Sequence, residues 1–78
     1  MPKLPRDCGA KRVAALLEPY GYTVVRQRGS HLRLHSATHD HSITIPNHDS
    51  IKVGTLSAIL AELAAVLNIE KDELIRKL

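Results

Sequence analysis

The stretch "VVRQRGSHLRLHS", Val24 to Ser36, sets His31 beside Arg26, Arg28 and Arg33, with Gly29 and Ser30 just before it. Positive charge disfavours a protonated imidazole, so the cluster needs a reason, and a bound polyanion supplies one. Three arginines can hold phosphates, Gly29 lets a backbone approach a ligand closely, and Ser30 adds a hydroxyl. RNA carries a ribose 2′-OH that attacks its own neighbouring phosphate once a base removes the proton. Histidine suits that transfer near neutral pH, for a gain on the order of 10²–10⁴ in rate. The competing reading is an ordinary surface histidine at a strand start.

Two further clusters carry candidate chemistry. His35, His39 and His41 follow an H-x3-H-x-H spacing with Asp40 between. Zinc accepts such ligands, but no Cys or carboxylate stands at a spacing that completes a tetrahedron, and a polar hairpin turn explains the run as well. In "IPNHDSIKVGTLSAIL", His48 and Lys52 precede a helix start, where free N–H groups favour an anion; the plainer alternative is that Thr55 caps the helix. Cys8 sits near the first helix with no nucleophile motif around it and is read as structural.

The elements that position these residues follow from periodicity. Val13, Leu16, Leu17 and Tyr20 recur at i, i+3, i+4 and i+7 and predict a helix that Asp7 or Cys8 starts and that Pro19 with Gly21 ends. "YTVVRQ" predicts a strand, Arg28-Gly29-Ser30 a turn, and "HLRLHS" a second strand with Leu32 and Leu34 on one face and His31, Arg33 and His35 on the other. "HSITIP" predicts a third strand, with Ile43 and Ile45 inward and Pro46 closing it. Leu56, Ile59, Leu60, Leu63 and Leu67 stripe a long helix that Asn68 ends in a left-handed cap, and "EKDELIRKL" closes the chain as a short helix. Before all of this, Met-Pro-Lys-Leu-Pro reads as an extended arm. The order α-β-β-β-α(-α) predicts a two-layer α+β sandwich with a three-stranded antiparallel sheet.

Composition bounds the function. A chain of 78 residues is read as one domain, residues 1–78, whose stability is roughly 4–12 kcal/mol. A deep cleft is not expected, and function falls to a surface or a shallow groove. The net charge of +3 is uneven: residues 1–52 hold eight Lys/Arg against four acids, and residues 53–78 hold three against four. That balance suits transient contact with nucleic acid better than long wrapping. One cysteine makes no internal disulfide, and no stretch resembles a signal peptide or membrane span, so a cytoplasmic protein with no membrane partner is expected.

"KLP" near the start, "RQRGSH" after the first strand and "IPNH…GTLSAIL" into the long helix together resemble the HicA toxins, or YcfA-like mRNA interferases. The resemblance runs from Lys3 to Leu78. It implies a double-stranded-RNA-binding-domain-like fold and the toxin part of a type II toxin–antitoxin pair that cuts messenger RNA as an endoribonuclease, without a metal cofactor. It also implies catalysis by the histidine of the G-S-H block, here His31, and a HicB-like antitoxin that covers it. The RNA-binding candidates are Arg26, Arg28, Gly29, Ser30, Arg33 and His48. Family members often carry serine where Cys8 stands, and the family pattern assigns no role to His35, His39 or His41. A non-catalytic RNA-binding module on the same basic face is the alternative.

Overall fold

The computed structural model describes residues 3–78; Met1 and Pro2 of the expected arm lie outside them. Its elements are α1 (Ala10–Leu17), a 3₁₀ turn (Glu18–Tyr20), β1 (Tyr22–Arg28), β2 (His31–Ser36), β3 (His41–Pro46), α2 (Val53–Leu67) and α3 (Lys71–Lys77). The strands form an antiparallel meander in the order β1-β2-β3. This is the expected α+β arrangement, consistent with a double-stranded-RNA-binding-domain-like fold.

One aliphatic core lies between the helices and one face of the sheet. Val13, Leu16 and Leu17 of α1 meet Leu32, Leu34, Ile43 and Ile45 of the strands, with Leu56, Ile59, Leu60 and Leu63 of α2 and Leu74 of α3. With no Phe or Trp in the chain, Tyr22 is the core's one large ring, 1% exposed. Truncating a buried leucine to alanine costs about 2–5 kcal/mol, a large part of what a domain this small possesses.

The ends of the helices depart from expectation in instructive ways. The residue before α1 is Gly9, not Asp7 or Cys8. Here the arm and the loop after β3 run together: Ala10 N–H donates to the His48 carbonyl at 2.9 Å, Ile51 N–H to the Cys8 carbonyl at 2.8 Å, and Ser50 Oγ to the Arg6 carbonyl at 3.0 Å. A Cβ on Gly9 would collide with the Asp49 carbonyl, so only glycine permits this approach. Pro19 converts the end of α1 into a 3₁₀ turn, from which Tyr20 still packs, half-buried, against the core. Its hydroxyl also accepts from Lys77 Nζ at 2.6 Å, tying the turn to α3. The long helix begins at Val53, two residues before Thr55, and no side chain caps it. Thr55 therefore lies inside its first turn. Asn68 does end it in the left-handed conformation, at φ 55°.

Candidate nucleic-acid interface

The second face of the sheet is uncovered, and alternation along β2 aims His31, Arg33 and His35 onto it. The ladders arrange that face in three rows. Arg28, His31 and Pro46 stand side by side; then Arg26, Arg33 and Thr44; then Thr23, His35 and Ser42.

Placing Arg26 and Arg28 here takes a break in β1. Strict alternation from the buried Tyr22 would send residues 24, 26 and 28 to the same face as Tyr22. Instead the register shifts between Val24 and Arg26, so that Val24 pairs with Leu34 while Arg26 pairs with Arg33. Val25 is the extra residue of a β-bulge, which resets the phase of the strand. Beyond it, both arginines share the face of His31. β1 also runs through Arg28, which pairs with His31, so the turn is only Gly29-Ser30. Gly29 takes φ 57° at the first turn position, as a type II′ hairpin requires.

Arg26, Arg28, His31, Arg33 and Thr44 line a shallow groove of about 220 Å³. Arg33 Nη1 donates to Thr44 Oγ1 at 3.2 Å, which leaves the threonine hydroxyl proton for another acceptor. Among the described residues the ion pairs are His41–Glu62 and Lys77–Glu73, so no carboxylate neutralises these arginines. His31 is the only lining side chain of a type that titrates near neutral pH. The groove is a cationic cradle around one imidazole, able to hold a phosphodiester and move a proton beside it.

The other sequence candidates fall outside the lining. Gly29 and Ser30 shape the adjoining turn, and the Ser30 carbonyl accepts from Asn47 N–H at 2.7 Å, fixing the turn against the end of β3. His48 is exposed in the following loop, where its carbonyl anchors α1. Thr44 is the lining residue the motif reading passed over, though Ile43 and Ile45 pointing inward already put it on the open face. A larger, mostly apolar groove of about 700 Å³ lies elsewhere, between Leu4, Val53 and Ile75, and holds none of the candidates.

The pleat separates His35 from the other two histidines of the H-x3-H-x-H run, His39 and His41, which both pack against Tyr22. His35 lies on the open face, bonded through Nδ1 to Ser42 Oγ at 2.7 Å. His41 lies on the core side, with Nδ1 2.8 Å from the Tyr22 hydroxyl and Nε2 3.0 Å from Glu62 Oε2. His39 stacks on Tyr22, and its Nδ1 is 3.0 Å from the buried Ser36 hydroxyl. No three His, Cys, Asp or Glu among the described residues are arranged to hold a metal ion. The Cys8 thiol is fully buried, and burial raises its pKa, as suits an inert structural cysteine.

Residues 10–64 match the family model of the HicA toxin of bacterial toxin–antitoxin systems. The chain is a HicA-family toxin. The match covers more than two thirds of its length and runs from α1 through most of α2, so it contains the whole hairpin groove. No curated protein and no solved structure matches it. Membership in a HicA toxin–antitoxin family implies an antitoxin partner. Among its described residues no single helix is long and apolar enough to cross a membrane.

Proposed function

We propose that this HicA-family chain is a toxin that acts in the cytoplasm as an endoribonuclease, cutting messenger RNA with His31 as the proton-transfer residue. The observation that carries the reading is an exposed imidazole bordered by three arginines that no carboxylate among the described residues neutralises, inside the family match. In the proposed step, neutral His31 takes the proton of a ribose 2′-OH. The 2′ oxygen attacks the adjacent phosphorus and the bond to the 5′ oxygen breaks. That oxygen leaves with a proton from water or the imidazolium, giving a 2′,3′-cyclic phosphate and a 5′-hydroxyl end. Arg26, Arg28 and Arg33 hold the phosphate and stabilise the charge that builds on its oxygens. Gly29 and Ser30 set the approach. His48, outside the groove, serves at most the flanking backbone.

Purified protein is expected to cleave RNA in the presence of EDTA, leaving cyclic phosphate ends, and His31→Ala is expected to lose that cleavage while still binding. A HicB-like antitoxin is the proposed partner, docking over His31 and relieving growth arrest on co-expression. A second reading has one observation in its favour: His31 is the one imidazole lining the groove, with no carboxylate or second histidine there to complete an acid–base pair. On that reading the chain binds RNA without cutting it. RNA bound and left intact by both the unaltered protein and His31→Ala would decide for binding alone.

A further inference from the structure

The open face carries a third row beyond the arginines, in which Thr23, His35 and Ser42 stand side by side. It lies one strand repeat along β2 from the Arg26–Arg33–Thr44 row, about 6.8 Å by strand geometry, and two repeats from His31. Its chemistry is different. There is no guanidinium; there is a half-buried imidazole whose Nδ1 is bonded to Ser42 Oγ at 2.7 Å. That bond holds the ring in one orientation and leaves Nε2 for another partner. His31 and His35 are the only aromatic rings that the strands place on this face. Tyr22 and His41 lie beneath the sheet, edge to face at 5.9 Å.

A fixed flat ring, with a free nitrogen and two hydroxyls beside it, is suited to an unpaired base. Stacking on the ring supplies affinity and the polar edge supplies hydrogen bonds. A base still inside a duplex offers neither face to such a ring. We propose that His35, with Ser42 and Thr23, forms a nucleobase subsite for single-stranded RNA, taking the base next to the phosphate clamped by the arginines. The inference rests on the ribonuclease reading for the ligand on this face. It adds that the strand lies along β2 from His31 towards His35.

The test uses the full chain carrying His31→Ala, so that RNA stays whole. A labelled single-stranded oligoribonucleotide is titrated with this protein and with its His35→Ala and His35→Phe derivatives. A series with one abasic site moved along the strand is titrated in parallel. The expected result is a loss of roughly five-fold or more in affinity for His35→Ala, a much smaller loss for His35→Phe, and one abasic position at which His35→Ala costs nothing. If the His35–Ser42 bond only stiffens the sheet, Phe and Ala are equally poor, and the subsite is overturned. It is also overturned if RNA binds but is indifferent to His35, which leaves the nuclease reading standing. Absence of RNA binding in every protein removes both.

Discussion

Arg26 stands directly opposite Arg33 across the β1–β2 ladder, two guanidiniums in register with no carboxylate partner among the described residues. Like charges placed opposite each other on a sheet destabilise it by up to about 1 kcal/mol. The fold carries that repulsion on its open face, where an RNA phosphate would relieve it. Arg26→Thr is therefore expected to leave the melting temperature unchanged or raise it by up to roughly 4–8 °C. The same variant is expected to bind single-stranded RNA more weakly, with the slope of log affinity against log salt shallower by about 0.7. Thermal melts and binding titrations at several salt concentrations check both arms. A clear loss of stability with unchanged RNA affinity would make the pair structural.

The bulge makes a second expectation that a regular strand would not. Deleting Val25 removes the unpaired residue and lets Tyr22–Ser36, Val24–Leu34, Arg26–Arg33 and Arg28–His31 remain on their present faces, so the variant is expected to fold and to bind RNA. Deleting Gln27 instead shifts Arg26 opposite Leu32, on the core side, and brings Val25 opposite Arg33. RNA binding is then expected to fall while the helices are kept. Circular dichroism and the same titrations distinguish the two deletions; equal behaviour of both would contradict the register.

Alkaline pH reports on the other side of the sheet. Burial, and then the negative charge of Glu62, raise the Tyr22 pKa above the ordinary tyrosine value. The unfolded chain thus releases this proton first. The contribution to stability is complete below the ordinary value of about 10 and is lost as pH rises through the higher folded value. Tyr22→Phe is expected to cost about 1 kcal/mol near neutral pH, by removing the partner of His41 Nδ1. It is also expected to shrink the loss of stability above pH ~10. Urea melts of both proteins across that range provide the check, and an identical alkaline decline would exclude Tyr22 as its source.

The motif that matters most was readable because it is local. Gly29-Ser30 is a two-residue hairpin turn, and alternation from His31 places Leu32 and Leu34 inward with no help from distant residues. Tyr20 keeps the core-side place that helical spacing predicts, but Pro19 puts it in a 3₁₀ turn beyond α1. Thr55 was misplaced because α2 starts where Ile51 is held by Cys8, a contact between distant segments.

The amino-acid order alone determined the sequence of helices and strands, the aliphatic core and the outward direction of His31, since each rests on periodicity over a few residues. Only the folded chain decided that Arg26 and Arg28 join that histidine, that His48 does not line its groove, and that His35 parts from His39 and His41. Those outcomes depend on one unpaired residue in β1, on where a loop docks, and on which side of the pleat each ring emerges. They are set by pairing between strands, which no single stretch of sequence contains.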